Sequence, residues 1–448
     1  MSVSTAATIL GASWRGQDTR FDGCGIDSRC IARGALFIAL RGERGDGHDF
    51  VAHAAQRGAA AALISRPDAG GLPVIEVADT LEAMARLAGA WRDGFRIPVI
   101  GVTGSVGKTT VKEMLAAIYG GDALATRGNL NNEIGAPLTV LRLGKEHRVA
   151  IVEMGANHPG EVARIAAMAR PTVGLITRCG AAHLAGFGDV AGVARAKGEL
   201  LAALAPDGVA VINADDAQAP LLYEMAAGRT VVSFALEAAA AVRAHWRPAA
   251  AGGRVRIETP LGTVTARLRL AGRHNAANAA AAVAAAVAAG GVDVAAIVHG
   301  LESVRPIAGR LRVLRGPHGA TLIDDSYNAN PVSLEAALKS LASYPEPRWL
   351  VFGDMAELGA GARAAHAAAG EAACRYGVER LYAIGEMSAL TVRRFGAGGA
   401  HFATVEQLIA ALERDLRGAA TVLVKGSRAA RMEQVVAALT RSRPEAVH

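Results

Sequence analysis

The sequence predicts an α/β protein of three domains: a central P-loop-type parallel sheet with flanking helices, an N-terminal α/β domain and a C-terminal Rossmann-like α/β domain. Three observations carry this. The chain has 448 residues, more than one typical core holds. Strand-like apolar runs alternate with helical stretches along most of it, the pattern of a parallel sheet covered on both faces. Breaker-rich points near Ile97-Pro98 and at RPIAGR, 305–310, divide the chain, so domains are expected at 1–96, 97–310 and 311–448.

In the first region ALFIAL (35–40) and LPVIEV (72–77) read as strands, with AHAAQRGAAAALI (52–64) helical between them. The second opens with the strand IPVIGVTG and a helix from Lys108. VAIVEMG follows with a helix from His158, then VGLITRC with the helical period of VAGVARAKGELLAAL, then GVAVINAD and TVVSFAL. RVRIETPLGTVTARLRL (254–270) alternates, turns and alternates again, and so reads as a hairpin closing that sheet. In the third region ATLIDDSY, RWLVFGD, RLYAIG and TVLVKGS each precede a helical stretch, as in a smaller parallel α/β domain.

Composition narrows the function classes. With 51% hydrophobic residues the chain is globular. Its net charge of +7 suits an anionic partner such as a nucleotide. The charges are scattered and aromatics make up only 4%, so nucleic-acid binding is not expected. Cys24, Cys30, Cys179 and Cys374 show no metal-type spacing and read as reduced thiols. The start lacks a basic segment followed by an apolar core. The longest apolar run, 276–291, is alanine, valine and glycine, too weakly hydrophobic to insert in a membrane. A cytoplasmic, monomeric protein is expected.

GVTGSVGKTT, 101–110, raises the main question. A polyphosphate needs inward-pointing backbone N–H groups, small residues and a helix N-terminus. Gly104 and Gly107 allow that approach, Lys108 can reach the outer phosphates, and Thr109 offers a hydroxyl to Mg²⁺. Thr103, Ser105, Val106 and Thr110 complete the loop. The usual pattern has glycine where Val102 stands, six residues before the lysine. Glu153 lies just past a strand end, able to hold Mg²⁺ opposite Thr109 or to serve as an ordinary ion-pair residue. His183 and Lys197 follow another strand end. Asn275 opens the alanine-rich helix, either as a ligand contact or as its cap, and Arg310 is either a phosphate contact or a linker arginine. Asp324, Asp325 and the polar groups of VFGDMAELG and VLVKGSRAARME sit at further strand ends. Such clusters in two domains suggest one cleft between them.

TGSVGKTT, NLNNEIGAP (129–137), EMGANHPGE, AAHLAGFG, AKGEL, GRHNAAN, DDSYNANP, GDMAELG and VKGSR occur in the order found in the Mur ligases of peptidoglycan synthesis, which the chain resembles over nearly its whole length. DSYNANP, GDMAELG and NLNNEIG resemble the MurF-type branch. That family writes its loop TGxxGKT, so the displaced glycine is its own form. The resemblance implies an ATP-dependent ligase that joins D-alanyl-D-alanine to the tripeptide carboxylate of a UDP-N-acetylmuramoyl-tripeptide through an acyl phosphate, with ATP and Mg²⁺. It implies Lys108 and Arg310 for charge neutralisation, Thr109 with Glu153 at one ion, and His183 with Lys197 at the other, Lys197 being carbamylated. Asn275, Asp325 and Asn328 would hold the nucleotide, Asp325 at the ribose. Asn131, Asn132, Asn330, Lys425 and Ser427 would contact substrates, and Ser28, Arg29 and His48 the UDP part. Two rivals stay open: a neighbouring ligase such as a folylpolyglutamate synthase, and a nucleotide-dependent binding switch.

Overall fold

The structure is a computed structural model and describes residues 1–42, 45–67, 71–249 and 252–441. Residues 43, 44 and 68–70 of the first expected domain, 250 and 251 of the second and 442–448 of the third lie outside the described residues. Three sheets succeed one another along the chain. The first comprises β1 (Ser13–Arg15), β2 (Cys24–Gly25), β3 (Leu36–Ile38), β6 (Ala61–Ile64) and β7 (Val74–Glu76), in the order β1-β7-β6-β3-β2 and parallel except at β1. A short ladder, β4 (Arg41–Gly42) with β5 (Gly45–Asp46), precedes β6 in the chain.

The segment 52–64 is not one helix. Val51–Gln56 is helical, Gly58 adopts a φ of +92° that ends it, and Ala61–Ile64 becomes β6. Alanine favours helix, but AALI lies between β3 and β7 with all four residues fully buried. Tertiary burial overrides local propensity there.

The central sheet has nine strands: β8 (Val99–Thr103), β9 (Ala123–Ala125), β10 (Val149–Glu153), β11 (Val173–Ile176), β12 (Val209–Asn213), β13 (Thr230–Ala235), β14 (Val242–Ala249), β15 (Gly252–Thr259) and β16 (Gly262–Leu268). Their order is β16-β15-β14-β13-β12-β11-β8-β10-β9, and only the β14-β15-β16 meander is antiparallel. The hairpin expected at 254–270 is β15-β16. One face is covered by the helices Lys108–Tyr119 and Arg273–Ala289. The second is mostly alanine. Its small side chains let it approach the sheet closely, so Ala279–Ala286 are essentially inaccessible, and it serves as a core helix. The helix expected from His158 begins at Glu161, because Gly160 stands in the left-handed region.

The third sheet comprises β17 (Arg312–Arg315), β18 (Thr321–Asp325), β19 (Arg348–Gly353), β20 (Arg380–Ile384), β21 (Gly399–Phe402) and β22 (Thr421–Lys425), ordered β17-β18-β22-β19-β20-β21. All pairs but β17-β18 are parallel. The two edge strands β17 and β21 have no clear sequence signal: both are four residues long and half exposed, so neither needs an apolar run. The carboxyl ends of β8, β10, β11, β18, β19 and β22 carry the polar motifs.

Candidate active site

The phosphate loop joins β8 to the helix from Lys108. Two of its glycines are required by space as well as by backbone angle. At Gly104 (φ +142°) a Cβ would stand 2.1 Å from Thr177 Oγ1, and at Gly107 (φ +89°) 2.4 Å from Asn278 Oδ1. Several loop residues expected at the nucleotide also tie the loop to the sheet. Thr103 Oγ1 donates to Met154 O (2.7 Å) and is fully buried; Ser105 Oγ donates to Gly180 O (3.0 Å) and accepts from Gly180 N (3.1 Å). Thr177 Oγ1 donates to Val106 O (2.6 Å), and Thr110 is buried in the first helical turn. The loop is therefore held by its neighbours on β10 and β11, which leaves its backbone as the anion-facing element. Lys108 bends back over it, Nζ donating to Gly104 O (2.7 Å). Burial lowers its pKa, Glu153 opposes that, and Arg310 adds to it.

Glu153 ends β10 and is 1% exposed. Its Oε1 accepts from Asn131 Nδ2 (2.7 Å) and Thr109 Oγ1 (3.2 Å), its backbone N–H donates to Thr126 Oγ1 (3.0 Å), and Oε2 is buried without a partner. Asn131, expected at substrate, thus stands against the carboxylate. An unsatisfied buried carboxylate oxygen beside a hydroxyl fits a hard divalent cation. Among the described residues no three His, Cys, Asp or Glu side chains gather as a metal cage.

Lys197 lies on the helix Val190–Ala202 and is 2% exposed. Its Nζ donates to Ala156 O (3.1 Å) and sits 5.1 Å from the centroid of Phe187. Burial first, and the Lys108 charge second, bring its pKa down from 10.5 to about 7. His183 adopts φ +53°, meets Phe187 edge to face and pairs with Glu357. Burial lowers its pKa, against Glu357 and with Lys108 and Lys197. A charged ammonium offers a cation no lone pair, so the His183–Lys197 pair fits a metal only once Lys197 has lost its proton or been converted to an anionic group.

Arg310 reaches across from the linker, Nη2 donating to Thr109 Oγ1 (2.9 Å). Asn275 does not cap its helix; Gly272 takes that place. Its Nδ2 donates to Ala271 O (2.7 Å), and Asn278 Nδ2 donates to its Oδ1 (3.0 Å), so Asn275 backs the asparagine that packs on Gly107.

In the third domain Asp325 and Lys425 lie opposite one another at the ends of β18 and β22 and form a buried ion pair. Burial raises the Asp325 pKa and Lys425 opposes it. Lys425 Nζ also donates to Asn328 O (2.9 Å), and buried Ser427 donates its backbone N–H to Asp354 O (2.9 Å). Asn328 itself is exposed. Asn330 is spent locally: it forms a capping box with Ser333 at the helix Pro331–Leu341. Asn132 likewise accepts from Gly135 N (2.9 Å) and Ile134 N (3.2 Å) at a helix start.

The N-terminal residues stand apart, their side-chain partners all within 27–65. Arg29 is exposed and paired with Asp27 (2.7 Å), while Ser28 Oγ meets His53 Nδ1 (3.0 Å). His48 is turned inward. Its Nδ1 bonds Asp46 (2.5 Å) and its Nε2 accepts from Ser65 N (2.8 Å), so both ring nitrogens are occupied. The sequence reading missed Glu357, Phe187 and Tyr327. Glu357 lies in the quoted GDMAELG motif, but nothing in its spacing says that it meets His183.

Residues 20–92 match the catalytic domain of the Mur ligase family, 102–286 the Mur ligase middle domain, and 309–428 the Mur ligase glutamate ligase domain. The chain is 42% identical over 447 residues to the UDP-N-acetylmuramoyl-tripeptide–D-alanyl-D-alanine ligase of Escherichia coli, covering 98% of each. It is 35% identical to the enzyme of that name from Haemophilus influenzae, again covering 98% of each. A crystal structure of MurF from Acinetobacter baumannii superposes with a TM-score of 0.91 at 34% identity, covering 98% of this chain and 99% of that one. MurF from Thermotoga maritima in complex with ADP gives 0.83 at 27%, covering 95% and 99%. A Mycobacterium tuberculosis folylpolyglutamate synthase gives 0.65 at 19%, covering 81% and 95%, and shares the fold alone. The chain therefore belongs to the Mur ligase family, in its MurF branch.

Proposed function

We propose that this protein is an ATP-dependent ligase that joins D-alanyl-D-alanine to the C-terminal carboxylate of UDP-N-acetylmuramoyl-tripeptide, giving the UDP-linked pentapeptide used in peptidoglycan synthesis. The observation that carries the reading is the convergence of Lys108, Thr109, Glu153 and Arg310 on one phosphate loop, contacted from the linker to a third domain. Relatives with full-length coverage carry the same activity in their names.

The chemistry follows from charge. A carboxylate attacking the γ-phosphate brings two anions together, so the site must neutralise both and hold them in line. Lys108 and Arg310 supply fixed positive charge at the phosphates, and the loop N–H groups hold the chain. The acyl phosphate formed is then attacked by the dipeptide amine, and phosphate leaves. Thr109 and Glu153 are the residues that would hold Mg²⁺, which supplies further charge neutralisation when bound. Lys197, with a pKa near neutrality, has the free amine that CO₂ requires. Nζ adds to CO₂, a proton is released, and the resulting carbamate presents oxygens toward His183. Asp325 lines the nucleotide side, Lys425 with Ser427 the substrate-contact region of the third domain, and Arg29 and Ser28 the UDP side. The protein acts as a cytoplasmic monomer on small-molecule substrates. No helix among the described residues is long and apolar enough to cross a membrane.

The test is phosphate release from ATP with the UDP-linked tripeptide and a series of acceptors. Release with D-alanyl-D-alanine, but not with glutamate or a folate, is the expected result. Release without amide product would favour the nucleotide switch instead.

A further inference from the structure

Arg310 follows the central sheet in sequence, but its backbone is strapped to the third domain. Gly309 N donates to Asp324 Oδ2 (2.8 Å), Tyr327 N donates to Gly309 O (3.1 Å), and Leu311 N donates to Asp325 Oδ1 (3.2 Å). The chain turns there through two left-handed residues, Gly309 (φ +74°) and Leu311 (φ +51°). A Cβ at Gly309 would stand 2.9 Å from Tyr327 Cβ, so the strap lies directly on that residue. The Arg310 guanidinium then lies 4.3 Å from the centroid of the Tyr327 ring, and from there its Nη2 reaches Thr109. Arg428, from beyond β22, stands 6.0 Å from the same ring and is also paired with Glu433.

We propose that Tyr327 is a positioning residue that clamps Arg310, making this arginine a part of the third domain that is presented to the phosphate loop. This rests on the ATP-dependent reading of the site and deepens it. A free arginine side chain samples many rotamers, and holding it in one is entropically unfavourable. Stacking on a fixed aromatic face offsets this while leaving the guanidinium edge free to donate. The clamp acts on the outermost phosphate, because Lys108 folds back on the loop at Gly104 whereas Arg310 reaches Thr109 from outside the loop. Tyr327 touches no group that reacts. Its phenol hydroxyl plays no part in the clamp; the ring face does.

The experiment compares wild type with Tyr327→Phe, Tyr327→Leu and Tyr327→Gln in two binding titrations, one with ADP and one with a non-hydrolysable ATP analogue. Steady-state kcat and KM are measured beside them. Tyr327→Phe should keep the wild-type preference for the analogue over ADP within about 2-fold. The Leu and Gln variants should lose that preference by about 3- to 30-fold, the range expected for a cation–π contact, with ADP affinity unchanged and kcat lowered more than the KM for ATP is raised. The Gln variant keeps the test open if Leu at this half-buried position does not fold. An unchanged preference in the folded variants would overturn the clamp, and so would an equal loss for ADP and analogue, which would place Tyr327 at the base or ribose. Failure of the wild type to bind either nucleotide would instead overturn the functional reading itself.

Discussion

Replacing Lys197 by methionine should reveal how much burying this amine costs. Methionine keeps the volume and the contact with Phe187 but removes the titrating group. In the native protein the pKa of Lys197 falls from 10.5 to about 7. At about 1.4 kcal/mol per pH unit this amounts to about 5 kcal/mol. Below pH 7 the amine is protonated in both the folded and the unfolded chain, and the full cost is present. Between pH 7 and 10.5 the unfolded chain holds the proton and the folded one does not, so stability rises with pH. Above 10.5 both forms are neutral and the cost is gone. The wild type should therefore gain on Lys197→Met by about 2 to 3 kcal/mol between pH 7 and 9. The assay is urea unfolding of both proteins in CO₂-free buffer, with hydrogen exchange of β8, β10 and β11 reporting the domain that holds the residue. A stability difference that stays flat across that window would refute the argument that burial and the Lys108 charge depress this amine. Added ¹³C-bicarbonate should then give a carbamate signal in the wild type and none in the variant.

Other perturbations follow from the same contacts. Lys108→Ala should abolish amide formation while thermal unfolding stays near wild type, because the side chain bonds only its own loop; normal turnover would remove the ATP assignment. Asn131→Ala should free the Glu153 carboxylate and weaken Mg²⁺ activation by about 10-fold or more, as loss of a partner holding a metal ligand does. Isothermal titration of Mg²⁺ with the ATP analogue reads this without turnover, and an unchanged affinity would return Asn131 to the substrate side. Gly107→Ala should cripple nucleotide binding, since it adds a Cβ 2.4 Å from Asn278 Oδ1 at a left-handed position; ADP titration checks it.

The phosphate loop was legible because its chemistry is local: strand, glycines, lysine and helix are contiguous from Val99 to Tyr119. Lys197 and His183 were legible only through the family's motifs, for neither has a local reason to be functional. What could not be read is where side chains find partners across domains. Glu357 meets His183, and Tyr327 lies under Arg310, through folding that no period in the sequence encodes. Nor does the sequence announce that Thr103, Ser105, Asn330 and His48, expected at ligands, each also have a backbone or side-chain partner nearby. In the fold, the miss at 61–64 has one cause: alanine favours helix until a buried parallel position claims it.

In the proposed reaction the tripeptide carboxylate itself attacks ATP. An oxygen of that carboxylate must then leave with the phosphate. The direct measurement uses UDP-linked tripeptide carrying ¹⁸O in its C-terminal carboxylate, with ATP and D-alanyl-D-alanine, and mass analysis of the released phosphate. One ¹⁸O per phosphate, matched by one pentapeptide, is the predicted result. Unlabelled phosphate alongside amide product would contradict it.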